Sequence, residues 1–233
     1  MHTNEHPIYI LCIETANAVT SVAIAKNDIC FAVREINTSN KAADTLHKLI
    51  EELLLSCALT FNDIHAIALS SGPGSYTGLR IAAAAAKGYA FALQIPIISI
   101  STFQAMLFGI QHRYHQLAYD VYVPMIDARR MEVFTSFFKA DGQLVQAYSS
   151  LIIDDEFNTL LDKTKKYIFF GNGAFKVPLA NIIPTNVVYT EYTPSAADVC
   201  ALAYKHYTTQ QFVDIAYFEP NYTKAVYTTV SKH

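Results

Sequence analysis

At 233 residues, 52% hydrophobic and 16% charged, the chain is long enough for one large domain or two small ones and too apolar to be a disordered polymer. Its net charge of −3, from 17 basic and 20 acidic residues with no basic run, argues against strong RNA binding by this chain alone and leaves weak or shared binding open. Cys12, Cys30, Cys57 and Cys200 show no C-x-x-C spacing, and no leader or membrane-spanning stretch stands out, so the expectation is a cytoplasmic protein with reduced, buried thiols.

In chain order, YILCIET (9–15), TSVAIAK (20–26) and ICFAVREI (29–36) read as strands, with Asn27-Asp28 as a two-residue hairpin turn. Ala42, Leu46, Leu49, Ile50, Leu53 and Cys57 then recur at helical spacing over 41–59, and Asn40 stands at the N-cap position. A strand (64–70), a glycine loop, an alanine-rich helix (about 76–93) and a strand (96–100) follow. The order is β-β-β-α-β-α, closed by a strand.

The second half repeats that order loosely. Strands are expected at 122–128, 132–139 and 143–150, with Asp141-Gly142 as a turn. A short helix near 154–161, a strand at 167–173 and a helix at 195–207 come next. The polar stretch 108–120 is taken as the boundary, giving units 1–107 and 108–233, with helix 195–207 a candidate to pack back on the first.

The loop SSGPGSYTGLR (70–80) has glycines at 72, 74 and 78, immediately before a helix. A Walker loop needs Lys after its last glycine, where Leu79 stands, and the dinucleotide fingerprint needs glycine at Thr77. Gly72, Gly74 and Gly78 therefore read as structural, turning a strand sharply into a helix. The free amides of that helix start leave Ser75 and Thr77 as candidates for anion contact. The turn after the first strand adds Glu14 and Thr15, which suit either a metal–phosphate group or an ordinary polar turn.

The alanine helix is apolar on two sides. Leu79, Ala82, Ala83, Ala86, Ala90 and Leu93 suit a sheet, while Ile81, Ala84, Ala85, Gly88 and Ala92 form a second face of small residues. That second face is covered either by the preceding helix or by another chain. Ile81, Ala84, Ala85, Gly88 and Ala92, with Leu46, Leu49 and Leu53 of the preceding helix, are the candidate interface. Asp127, Arg129 and Arg130 sit between two strands, where they pair with each other or meet a partner's charge. His112 and His115 lack companions for a metal site, and Ser70, Ser71 and Ser75 lack a nucleophile's setting.

GPGSYTGLR with its Ala-rich, Lys-Gly helix and IPIISISTFQAM, joined by ILCIETANAVTSVAIA upstream and PMIDARRMEVF downstream, resembles the bacterial TsaB (YeaZ) family of tRNA threonylcarbamoyladenosine biosynthesis subunits. GNGAFK, PSAADVCALA and FEPNYTK fit its weaker marks. The resemblance spans nearly the whole chain and is strongest over 8–106.

It implies the α/β actin-like ATPase (RNase H-like) fold with two duplicated β-β-β-α-β-α subdomains. It also implies a non-catalytic scaffold or dimerisation subunit that pairs with and activates TsaD through the first-half helices, with TsaE, a P-loop ATPase, joining. The assembly installs threonylcarbamoyl on the adenosine 3′ of the anticodon in tRNAs reading A-starting codons. On this reading the chain binds no cofactor or metal independently, ATP and Mg are handled by partner subunits, tRNA is met only through the complex, no membrane is involved, and the chain alone forms homodimers. Ala42-Ala43-Asp44 replaces a His-Ser-Glu-type triplet, and Ala16 replaces a glycine after Glu14, both away from independent ATP hydrolysis. The rival reading is an actin-like nucleotide- or metal-dependent enzyme, a phosphotransferase or peptidase-like protein.

Overall fold

The structure is a computed structural model describing residues 6–37, 42–114, 118–147, 150–180 and 186–221. Strands β1 (Tyr9–Glu14), β2 (Val19–Lys26) and β3 (Ile29–Asn37) form an antiparallel meander. Asn27 makes the β2–β3 turn at φ 55°, which asparagine tolerates, and its side-chain oxygen accepts from the Ile8 amide at 3.0 Å. After α1 (Ala42–Ser56) come β4 (Ala66–Ser70), α2 (Tyr76–Leu93) and β5 (Ile97–Ile100). β4 runs parallel to β1 and β5 parallel to β4, so the first sheet is ordered β3-β2-β1-β4-β5.

A third helix, α3 (Thr102–Arg113), leads into β6 (Val121–Asp127), β7 (Glu132–Phe138), β8 (Leu144–Ala147) and a two-residue β9 (Leu151–Ile152). A 3₁₀ turn (Asp155–Leu160), β10 (Tyr167–Phe170), a short α4 (Lys176–Leu179), β11 (Val187–Thr190) and α5 (Ala197–Thr208) complete the described elements. The second sheet is ordered β11-β10-β6-β7-β8, with β9 beside β7. Taken from its other edge, that order and its parallel and antiparallel pairings repeat the first sheet strand for strand. The fold is α/β, the actin-like ATPase (RNase H-like) fold with its unit duplicated.

Alternation along β1 shows how the first sheet is buried. Leu11 and Ile13 point to the side carrying α1 and α2, and Ile10 and Cys12 to the side carrying Val199, Cys200 and Ala203 of α5. On the second sheet, Phe103, Met106, Leu107 and Ile110 of α3 pack on Tyr122, Ile168 and Phe170. Each half thus lends its closing helix to the other half's sheet. At the crossing of these helices a side chain on Gly109 would collide with the Tyr192 hydroxyl and Asp198, so only glycine fits there.

Some expectations need correction. The stretch 108–120 opens inside α3, which crosses 107/108 and runs to Arg113. α3, α4, β9 and β11 were not anticipated. Cys12, Cys30 and Cys200, far apart in sequence, converge under α5. Asn40 and His115 lie outside the described residues. Among the described residues no helix is long and apolar enough to cross a membrane.

Candidate functional site

The C-terminal ends of β1 and β4 carry the glycine loop and the Glu14 turn, and these two segments close on each other. A side chain on Gly78 would meet the Thr15 carbonyl oxygen at 2.0 Å, and one on Gly74 would meet the Ala16 carbonyl oxygen at 2.5 Å. Gly72 and Gly74 also have φ of +115° and +159°. The glycines therefore let the loop lie against the turn and leave little hollow between them. Ser75 N donates to Ala16 O at 2.7 Å, Gly78 N to Ser75 Oγ at 3.2 Å, and Thr15 Oγ1 to Gly78 O at 2.8 Å. Three groups that could hold an anion are already bonded within the chain.

Of the four residues offered for anion contact, Glu14 and Thr15 are buried, while Ser75 and Thr77 are exposed. Burial pushes the Glu14 carboxyl up to about 7, against the opposing pull of Ser70 and the Ala16 amide. Glu14 Oε1 accepts from Ala16 N, but Oε2 and the neighbouring Ser70 hydroxyl both lack a well-formed hydrogen bond. A carboxyl this enclosed is sealed from solvent.

The seam beyond it is also occupied. Ala196 N donates to Ser21 Oγ at 3.0 Å, and Asn17 Nδ2 donates to Pro194 O at 3.3 Å. Asp198 accepts from the Tyr192 hydroxyl and, at 2.9 Å, from Ser195 N. Burial holds the Asp198 carboxyl above its ordinary range and the Tyr192 phenol well above its own.

The outer layer is different. On α2, Thr77, Arg80, Ala84, Gly88 and Ala92 face solvent, and Phe91 is 71% exposed. Ile81 is half-buried. Ala85, with Leu46, Leu49 and Leu53 of α1, lies in the chain's own core, so these four are removed from the surface a partner could touch. The apolar spacing of α1 is explained by its own sheet. His47 of α1 is exposed and pairs with the Tyr89 hydroxyl of α2 at 2.7 Å, tying the two helices side by side. A side chain added at Gly88 would meet nothing within 4 Å, so no neighbour in this chain calls for glycine.

The β6–β7 turn is also built differently from its expectation. Asp127 does not pair with the arginine side chains. Its carboxylate accepts from the Arg129 amide at 2.6 Å and from the buried Lys176 ammonium at 2.5 Å. Arg129 and Arg130 are exposed, both at positive φ (71° and 48°), a conformation costing a non-glycine residue about 1 kcal/mol or more. Lys176 was missed because only the fold brings it to Asp127.

A sequence model of the TsaD family, described as tRNA N6-adenosine threonylcarbamoyltransferase, matches residues 35–229. The tRNA threonylcarbamoyladenosine biosynthesis protein TsaB of Bacillus subtilis is 28% identical over 171 residues, 70% of each chain. The chain belongs to the TsaD family, in its TsaB (YeaZ) group. The TsaB protein of Escherichia coli is 30% identical over 132 residues, 57% of this chain and 55% of that one. Solved YeaZ from Pseudomonas aeruginosa superposes with a TM-score of 0.74 at 22% identity, over 92% of this chain and 99% of its own.

Proposed function

We propose that the chain is a non-catalytic subunit of tRNA threonylcarbamoyladenosine biosynthesis, pairing with a TsaD-type partner through the outer face of α2. The TsaB relatives named for that biosynthesis support the pathway. The observation that carries the pairing is Gly88. A mid-helix glycine costs about 1 kcal/mol relative to alanine, and nothing within 4 Å in this chain repays it. Close approach of a partner's helix backbone would. The exposed Ala84, Phe91 and Ala92 extend that face. The closed loop over Glu14 supports assigning ATP and Mg to partner subunits, a TsaE-type P-loop ATPase among them. On this reading the chain works in the cytoplasm and, without its partner, forms homodimers through the same face.

The test is Ala84→Glu, since Ala84 is exposed where Ala85 is not. The variant should stay folded and fail to co-purify with the TsaD-type chain. Unchanged pairing would remove α2 from the interface. Calorimetry of the isolated chain with ATP and Mg²⁺ bears on the catalytic role: tight binding would favour a nucleotide-dependent enzyme.

A further inference from the structure

The carboxyl ends of β10 and β11 open into a cavity of about 470 Å³, within the size range of small-ligand sites. Strand ends of this kind are where α/β sheets admit ligands. Gly171, Asn172, Phe175, Tyr189, Glu191 and Tyr192 are among its lining residues. Phe175 is 51% exposed, and no lysine or arginine lines the cavity among the described residues. Aromatic walls with one carboxylate and neutral polar groups suit a flat ring that carries hydrogen-bonding groups and no negative charge. Tyr189 also lines the cavity, and its hydroxyl is buried without a hydrogen-bond partner.

Positive charge stands beside the cavity. Lys176, next in sequence to Phe175, donates to Asp127 and, at 2.8 Å, to the Glu132 carbonyl, so it grips both legs of the β6–β7 hairpin. Asn172 Oδ1 accepts the Asp127 amide at 2.9 Å. One loop, 171–176, therefore lines the cavity and holds the hairpin that displays Arg129 and Arg130. Among the described residues neither guanidinium has a hydrogen bond or ion pair. An Asn-Gly turn would close a hairpin without strain; two strained arginines suggest that the side chains are the reason for the turn.

The counterpart of this site in the first half is filled by its own chain, as the contacts of Gly74 and Gly78 show. A free nucleoside triphosphate would thus lack a second clamp.

We propose that the cavity receives one unstacked base of a single-stranded RNA segment, with Arg129 and Arg130 on the adjoining phosphates. The base stacks on Phe175 or Tyr189, and Glu191 accepts a hydrogen bond from an exocyclic amine or a 2′-hydroxyl. Arginine forks match phosphate oxygens, and aromatic stacking tolerates any base. The inference deepens the tRNA reading by giving this subunit a contact of its own.

The experiment titrates the full chain into a fluorescein-labelled single-stranded adenosine dodecamer RNA, by anisotropy between 25 and 200 mM salt. Wild type should bind, and Phe175→Ala should weaken binding about tenfold at every salt without changing the salt slope. Arg129→Ala and Arg130→Ala should each lower the slope by about 0.7. Phe175→Leu, which keeps the apolar volume, should weaken binding as well and guards against misfolding of the alanine variant. Absence of binding at 25 mM salt, unaltered affinity in both Phe175 variants, or unaltered slopes would overturn the proposal. So would competition by ATP or by an octaglutamate peptide as effective as that by unlabelled RNA, since these mark a free-nucleotide site or a protein-docking site. Co-purification with the TsaD-type partner is scored separately on the same variants. Absence of RNA binding by the wild type with pairing intact refutes this inference alone, and RNA binding by a wild type that does not pair refutes the proposed function alone.

Discussion

Lys176 is 4% exposed, and its ammonium bridges the Asp127 carboxylate and the Glu132 carbonyl, joining α4 to both strands of a hairpin some 45 residues earlier. Breaking a fully buried ion pair costs 3–5 kcal/mol, but the Asp127 side chain is 38% exposed and can rehydrate. Lys176→Met, which keeps the apolar stem, should therefore lose about 1–3 kcal/mol in urea unfolding at unchanged m. Asp127→Asn should lose at least as much, because it leaves the buried ammonium without a counter-charge, although the Glu132 carbonyl and an amide oxygen still accept from it. A Lys176→Met midpoint equal to wild type would show that the pair contributes nothing.

Glu14 predicts an unusual pH dependence. Its folded pKa of about 7 lies above its ordinary 4.5, so between those values the folded chain holds a proton that the unfolded chain has released. Stability from this group is full below about 4.5, declines as pH rises, and is lost above about 7, a difference of roughly 3 kcal/mol at most. Buried Asp198, also raised, acts with the same sign. Glu14→Gln should flatten the decline and be more stable than wild type at pH 8, most simply measured by melting temperature at pH 5 and pH 8. Parallel pH profiles for the two proteins would mean that Glu14 is not titrating in the fold.

Asp198 makes a second, separable prediction. Asp198→Ala strands the Tyr192 hydroxyl and the Ser195 amide, both buried, and should cost about 2–4 kcal/mol. Tyr192→Phe removes one donor and leaves Asp198 its Ser195 amide and the Arg113 charge at 3.7 Å, so the loss should be nearer 1 kcal/mol. The order of the two losses in chemical unfolding is the check.

How far such features could be read in advance depends on their range along the chain. The first meander, α1, β4, α2 and β5 were legible because alternation, helical spacing and turn residues such as Asn27 are local. α3 was missed although Phe103, Met106, Leu107 and Ile110 have helical spacing. It is covered by sheet on one side and by α5 on another, so it lacks the polar face that marks a surface helix, and its end runs into the polar stretch taken for a boundary. β11 has only four residues, too few for a pattern. Lys176 with Asp127, and the three converging cysteines, join residues that only the duplicated sheets bring together. Leu46, Leu49 and Leu53 show the remaining limit: spacing marks an apolar stripe but does not say whether a sheet or a partner covers it.

Gly78 and Gly88, ten residues apart on α2, should respond in opposite directions to alanine. At Gly78 the new methyl would be driven against the Thr15 carbonyl at 2.0 Å, a backbone contact that cannot move aside alone, so Gly78→Ala should lose more than about 2 kcal/mol. At Gly88 the methyl enters open space, and Gly88→Ala should gain up to about 1 kcal/mol through helix propensity. If a partner's helix lies against this face, the same methyl that stabilises the isolated chain must weaken the pairing. Melting temperature and co-purification with the TsaD-type chain, measured on the one variant, should therefore move apart. A Gly88→Ala chain that is more stable and pairs as well as wild type would mean that no backbone comes close to this part of α2.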